Sequence, residues 1–251
     1  MAKPSRVAAI VMAGGKGTRL KSGGVFTGPK PTLHTDCFDV VKNHLLGLSG
    51  LGADEIYYVL NDRHEEVHEY VESVVSELDD KFNSKVTFIL DAQSNGKDTI
   101  GQASKDAFIQ ASMAGYDTVY YTLSDHLIPY KHLIRKTIIT KEDLFEAPVL
   151  DLKGPRHSYC NPLDYLKLGG EMPQKDTIRL GLSFLNIIGS YQLYEKARCQ
   201  GITDWNEYVK LVPSKNVGYV PWFNINDTKT LKYADCVIKG LGKKASSYFF
   251  L

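Results

Sequence analysis

The chain has 251 residues, 43% of them hydrophobic, enough to bury one sizeable core. Its 30 lysines and arginines stand against 29 acidic residues, a balance that raises no field able to draw nucleic acid or an anionic membrane as the main partner. No apolar run is long enough to span a bilayer. The four cysteines (Cys37, Cys160, Cys199, Cys236) form no C-x-x-C pair and have no histidine at ligand spacing, so they read as reduced thiols rather than as a disulfide frame or zinc site. Met1 to Arg6 runs straight into the first apolar segment and leaves no room for a signal peptide, so a soluble, cytoplasmic protein is expected.

Val7–Met12 is an unbroken apolar run, the pattern of a strand covered on both faces. It breaks at once into Ala13, Gly14, Gly15, Lys16, Gly17, Thr18, Arg19 and Leu20. Glycines let backbone N–H groups approach a polyanion closely, and two cations and a hydroxyl then sit at the same point. The loop lacks the spacing and the Lys-Ser/Thr ending of a Walker A motif. It also lacks the third glycine of a dinucleotide fingerprint, since Gly17 is followed by Thr18, Arg19 and Leu20. A nucleotide phosphate cradle after a buried strand fits it; a tight structural turn is the plainer alternative. Gly28-Pro29-Lys30-Pro31 follows after a short segment in which Ser22, Gly23 and Gly24 suit a mobile flap. Pro31 is expected to keep the backbone of Lys30 extended and aim its side chain out of the loop.

Phe38–Leu48 carries Val40, Val41, Leu45 and Leu48 at helical spacing and should end near Gly50 or Gly52. Glu55–Leu60 reads as the second strand. Glu65–Leu78 reads as an amphipathic helix with Val67, Tyr70, Val71, Val74 and Leu78 on one face. Lys85–Leu90 is the third strand, followed by a polar loop and a helix through Ile100–Met113. Thr118–Thr122 is the fourth strand, with Ser124-Asp125-His126 at its carboxyl end, where open α/β sheets bind ligands.

Beyond Tyr130 the pattern loosens. Leu133–Ile139 looks helical and Ala147–Leu152 strand-like. Gly154–Gln174 is irregular, of the kind found around substrate pockets. Leu180–Ile188 returns to strand, Ser190–Cys199 to helix, Gly218–Trp222 to a last core strand and Leu231–Gly240 to a closing helix. The alternation predicts an α/β fold, a Rossmann-like three-layer sandwich with a mostly parallel twisted sheet. One domain over residues 1–251 is expected, with an inserted acceptor-binding region at 140–180.

Ala13-Gly14-Gly15-Lys16-Gly17-Thr18-Arg19-Leu20, Lys30-Pro31, Ser124-Asp125-His126 and Asn224-Ile225-Asn226 together resemble the motifs of the nucleotidylyltransferases that activate sugar phosphates and related phosphorylated acceptors. The resemblance implies the nucleotide-diphospho-sugar transferase type of fold. It also implies a reaction: the acceptor's phosphate oxygen attacks the α-phosphorus of a nucleoside triphosphate, and pyrophosphate leaves. The expected catalytic residues are Arg19, Lys30 and Asp125. Nucleotide binding falls to Ala13, Gly14, Gly15, Lys16, Gly17 and Thr18, with Lys16 and Arg19 on the β- and γ-phosphates. Gln93 and Gly101 are the candidates for the base, beside the alternative of a polar loop with a capping residue. Mg2+ is the expected cofactor, on Asp125 with Asn224 or Asn226; uncharged amides should hold it more loosely than carboxylates.

Each assignment has a plainer counterpart. Asp125 could cap the next helix, His126 could merely fill the turn, and Asn224–Leu231 could form an Asx-turn opening the last helix. Asp227-Thr228-Lys229 departs from the family's Thr-Pro-Glu pattern. The M-A-G-G-K-G-T-R start and F-N-I-N ending are similar to GTP:adenosylcobinamide-phosphate guanylyltransferases, which makes GTP and a cobinamide-phosphate-like acceptor one expectation. The long stretch at 154–170 suits a sugar phosphate or a phosphorylated amino-alcohol equally, with Arg156, Lys167 and Lys175 as candidate phosphate contacts. No nucleic acid or membrane partner is expected, and a homodimer is compatible with the resemblance. Two rival classes are a nucleotide-binding sensor that has lost turnover, which the two asparagines favour, and a nucleotide-dependent oxidoreductase, which the broken dinucleotide fingerprint disfavours.

Overall fold

A computed structural model describes residues 6–14, 20, 24, 26–60, 64–78, 80, 82–90, 100–136, 147–151, 177–179, 182–186, 199–201, 214–216 and 222–251. Its framework is a five-stranded sheet. Strands β1 (Val7–Met12), β2 (Glu55–Leu60), β3 (Lys85–Leu90), β4 (Thr118–Leu123) and β8 (Leu182–Asn186) lie in the order β3-β2-β1-β4-β8. The first four are mutually parallel and β8 runs antiparallel to β4. Helices α1 (Val40–Gly50), α2 (His64–Leu78) and α3 (Ile100–Met113) make the crossovers between the parallel strands.

The central strand explains the two-sided cover. Ala9 and Val11 face one way and pack with Leu45 and Leu48 of α1 and Val67 and Val71 of α2. Ala8 and Ile10 face the other way, against Ala107, Phe108 and Ala111 of α3. All four of these β1 side chains are fully buried. Each fully buried leucine, isoleucine or valine in this framework contributes roughly 1.5–3 kcal/mol of transfer free energy. This is why an unbroken apolar run, rather than an alternating one, marks the strand.

A third cluster lies beside the sheet, around Leu33, Phe38, Leu127, Phe223, Ile225, Leu231 and Phe249. It is closed by helix α5 (Thr228–Leu241), whose start is fixed by a capping box: Asp227 accepts from the Thr230 amide, and Thr230 Oγ1 accepts from the Asp227 amide. A small ladder pairs β5 (His126–Leu127) antiparallel with β10 (Phe223–Asn224). A separate three-stranded sheet has the order β7-β6-β9, from Thr177–Arg179, Ala147–Asp151 and Ser214–Asn216.

The expected α/β sandwich with a mostly parallel sheet is the observed one. Four details concern the later elements. The strand expected at 180–188 is observed over its described part, 182–186, in the large sheet, and 177–179, ahead of it, forms an unexpected strand in the small one. The strand expected at Gly218–Trp222 lies outside the described residues except for Trp222; directly after it, Phe223–Asn224 pairs with the two-residue β5 rather than with the main sheet. The helix expected from Leu133 starts three residues earlier, as α4 (Tyr130–Lys136), immediately after Pro129. The closing helix starts at Thr228, where the capping box supplies the partners its first amides need. The segments 137–146, 152–176, 187–198 and 217–221, with the expected irregular stretch and the helix at Ser190–Cys199 (all but Cys199), lie outside the described residues. Among the described residues, no helix is long and apolar enough to cross a membrane.

Candidate active site

The register puts Met12 level with Val59 and Leu123, so β1, β2 and β4 end together on one edge. There the Ala13 amide donates to Val59 O (2.8 Å) and the Ser124 amide to Met12 O (3.1 Å). Between β4 and β5 the chain makes a tight turn, and Asp125 sits at it. The Asp125 carbonyl accepts from the Ile225 amide (2.9 Å), which ties the turn to the segment leading into α5. Asp125 caps no helix: α4 begins five residues later, at Tyr130. His126 does not merely fill the turn either. It is a paired strand residue opposite Asn224, buried, with its ring edge-on to Trp222 at 5.4 Å.

Lys30 reaches this point from the other side. Its backbone is not extended as expected. Pro29 is the extended residue (φ −61°, ψ 139°), and Lys30 opens a 3-10 turn, Lys30–Thr32. That turn is closed by the Thr32 amide and hydroxyl, both donating to Pro29 O (3.0 and 2.9 Å). The Lys30 ammonium donates to Asp125 Oδ2 (2.5 Å) and to Asn226 Oδ1 (2.6 Å). Asn226 Nδ2 in turn donates to Asn224 Oδ1 (2.6 Å), which fixes the amide so that its oxygen faces the lysine. The Asn226 amide N–H donates to Thr230 Oγ1 (3.1 Å), so the last helix's cap also sets this residue.

The second carboxylate oxygen is the chemically distinctive atom. Asp125 Oδ1 is buried and accepts no hydrogen bond among the described residues; His126 Nε2 lies 3.5 Å away. Burial by itself would raise this carboxyl, but the charges of His126 and Lys30 outweigh it and hold it below the usual carboxylate range. Oxygens of Asp125 and Asn226 thus converge on one cation, the Lys30 ammonium, with Asn224 Oδ1 behind them. No group of three or more His, Cys, Asp or Glu side chains able to hold a metal occurs among the described residues. A single carboxylate with amide oxygens still suits Mg2+, which fills its remaining positions with waters and phosphate oxygens.

Beneath the turn, α1 presents residues that the sequence reading passed over. Asn43 is wholly buried and makes two bonds to one residue: Nδ2 donates to Ile128 O and Oδ1 accepts from the Ile128 amide, both at 3.0 Å. His44, also buried, is bonded through Nδ1 to the Tyr130 hydroxyl (2.9 Å). Burial first, and the neighbouring His126 second, push its imidazole down to about 3, so it is neutral at physiological pH. Gly47 lets the two helices meet, since a Cβ there would stand 2.1 Å from the Tyr130 ring. A signal existed. Positions 40, 43, 44, 47 and 48 share one helical face, and a buried Asn-His pair on an apolar stripe calls for specific partners.

Of the other expected site residues, Ala13 and Gly14 stand at the end of β1, beside the Asp125 turn. Gly101 lies in the first turn of α3. Gly15, Lys16, Gly17, Thr18, Arg19 and Gln93 lie outside the described residues, as do Arg156, Lys167 and Lys175. The loop 15–19 is nevertheless bracketed by Gly14 at the sheet edge and by Leu20, which is buried in the third cluster.

No protein-family model matches the chain, and no curated protein matches it in sequence. Solved structures do. The inositol-1-phosphate CTP transferase from T. maritima superposes with a TM-score of 0.62 at 15% identity, covering 96% of this chain and 100% of that one. A UDP-glucose pyrophosphorylase complexed with UDP-glucose gives 0.60 at 11% identity, covering 94% and 99%. The CTP:phosphocholine cytidylyltransferase from Streptococcus pneumoniae gives 0.55 at 15%, covering 93% and 99%. The chain has the nucleotide-diphospho-sugar transferase fold. At these identities the likeness is one of architecture, and the chemistry has to be argued from the site.

Proposed function

We propose that this chain is a nucleotidyltransferase that moves a nucleoside monophosphate from a nucleoside triphosphate to the phosphate of a small-molecule acceptor, releasing pyrophosphate. The observation that carries the reading is the meeting of Lys30, Asp125 and Asn226 at the carboxyl edge of β1 and β4, next to the start of the glycine loop. An ammonium, a carboxylate with a spare oxygen and oriented amides at a ligand-binding edge are the groups needed to align and neutralise phosphates. The acceptor classes in the names of the fold relatives (inositol phosphate, phosphocholine, glucose phosphate) agree with a phosphorylated small molecule.

In this reading, backbone N–H groups from Gly14 onward cradle the triphosphate. Lys16 and Arg19 hold its β- and γ-phosphates, and Gln93 with Gly101 borders the base. Little covalent work falls to the protein: the acceptor oxygen must stand in line with the departing pyrophosphate, and the charge that accumulates must be met. Lys30 is the group that meets it. Its turn is fixed by Pro29 and Thr32, so the ammonium can exchange Asp125 for a phosphoryl oxygen without moving the backbone. Asp125 and Asn226, backed by Asn224, would hold Mg2+, which when bound neutralises phosphate oxygens. The region 140–180, whose described parts are β6 and β7, is the proposed acceptor side of a single domain.

The test is pyrophosphate release from ATP, GTP, CTP, UTP and dTTP with magnesium, offered with a panel of sugar 1-phosphates, phosphocholine, inositol phosphate and a cobinamide phosphate. One nucleotide should also raise the melting temperature, as any ligand specific to the folded state does. Turnover with one pair supports the transferase. A thermal shift without turnover across the panel supports a binding protein of the same fold, and neither result overturns both.

A further inference from the structure

Asp125 owes its place to a turn, and a turn between two short segments is held only as well as its two ends. One end is secured by the main sheet, through the Ser124 amide on Met12 O, and by the Ile225 amide on Asp125 O. The other end, after the two-residue strand β5, reaches Ile128, where the ladder with β10 has already finished. Pro129 follows and has no amide proton to offer. The Ile128 carbonyl also accepts from the Tyr130 amide (2.8 Å), but the amide of this fully buried residue would be left without a partner there. The side chain of Asn43, 85 residues away, takes both its N–H and its C=O, as a neighbouring strand would. We infer that Asn43 is a positioning residue for the proposed transferase reaction, acting through Ile128 to hold the Asp125 turn at the reactive distance from Lys30.

This inference rests on the nucleotidyltransferase reading for its kinetic consequence, but the coupling itself is structural. Asn43 touches none of the proposed reacting groups. Its partner is three residues from Asp125, across a segment of two paired strand residues that transmits a shift directly. The helix that carries Asn43 has further anchors of its own: Leu45 and Leu48 pack in the sheet core, and Asp39 caps its first turn through the Lys42 amide (2.9 Å). Losing these bonds therefore lets the turn move while the helix keeps its other anchors.

The experiment compares the parent with Asn43→Ala, Asn43→Ser and Asn43→Asp. Asparate at this position keeps an acceptor for the Ile128 amide but loses the donor to Ile128 O, so it should restore part of what alanine loses. Two readouts are taken on each variant: kcat and KM with the active substrate pair, and amide hydrogen exchange at Ile225 and Ile10. For Asn43→Ala, kcat should fall about 10- to 100-fold with KM for the nucleotide within about threefold, the size expected from a sub-ångström to ångström misplacement. Exchange at Ile225, bonded to the turn, should accelerate at least about tenfold more than at Ile10 in the sheet core. In the Asp125→Ala background, Asn43→Ala should add little further loss. Equal acceleration at Ile225 and Ile10, an unchanged Ile225, or a kcat matching the parent would each overturn the inference. If alanine does not fold, the serine and aspartate variants decide it by the same readouts. A parent with no turnover on any substrate pair, yet with Ile225 selectively loosened by the substitution, defeats the transferase reading and leaves the positional coupling standing.

Discussion

Two carboxylates, one buried and one largely so, lie at opposite ends of the same mostly parallel sheet, and they differ in how completely they are satisfied. Glu55 opens β2 at the amino edge. Its Oε1 accepts from Lys85 Nζ (2.7 Å) and Thr87 Oγ1 (2.5 Å), and its Oε2 from the Tyr116 hydroxyl (2.9 Å). Asp125, past the carboxyl end of β4, has one oxygen on Lys30 and one that accepts no hydrogen bond among the described residues. Burial would raise both carboxyls, yet both are held below the usual range: Glu55 by Lys85, Thr87, Tyr116 and Tyr57, Asp125 by the charges of His126 and Lys30. A lowered carboxyl therefore does not mark the site by itself. The spare oxygen does, because a fully bonded carboxylate has nothing left for a ligand while a partly bonded one keeps a lone pair in reserve.

The contrast predicts different failures at the two ends. The largest effect belongs to Asp125→Ala, which should lower kcat by about 10³-fold or more while the far-UV circular dichroism and cooperative melting persist; activity near the parent's would contradict the site. Next comes Lys30→Ala, with a fall in kcat of about 10²-fold and a change in nucleotide Kd of less than about tenfold, measured by single-turnover kinetics against calorimetry. That variant also leaves Asp125 without its bonded cation, so its carboxyl should titrate higher.

Glu55→Gln should do the opposite. It weakens a buried network at the cost of roughly 2 kcal/mol, lowering Tm by about 4–8 °C, while kcat per folded molecule stays within about twofold. The sign with pH follows from the lowered carboxyls. Each stabilises the folded state above the ordinary carboxylate range, and that contribution disappears as pH falls through the depressed value. Melting curves at falling pH should thus show a shallower acid loss in Glu55→Gln than in the parent. The smallest effect is expected for Lys85→Ala. Its side chain is 70% exposed, and an exposed partner of this kind contributes less than about 1 kcal/mol, so Tm should move by no more than about 4 °C.

Much of the fold was legible along the chain because its elements announce themselves locally. β1, β2 and β3 fall where their apolar runs predict, and α3 where its periodicity does. Later elements were harder to read. The short strand at 177–179, just before the one expected at 180–188, carries no local sign that it pairs in a separate sheet. Nor does anything local disclose that Phe223–Asn224 is a pairing segment, since a two-residue strand owes its existence to its partner. His126 looked like turn filler because strand pairing by β5 depends on a segment nearly 100 residues further on, which no local window contains.

By itself the sequence determined the glycine-rich loop after a buried strand, the acidic residue past β4 and the basic residue before Pro31, each a matter of neighbours a few positions apart. Only the tertiary structure decided that Lys30 meets Asp125 across 95 residues and Asn226 across 196, and that Asn43 completes the backbone of Ile128 across 85. The reason is physical. Hydrophobic periodicity is written in the spacing of the side chains that bury together, whereas a hydrogen bond's partner is settled by which groups the folded backbone leaves facing each other without water.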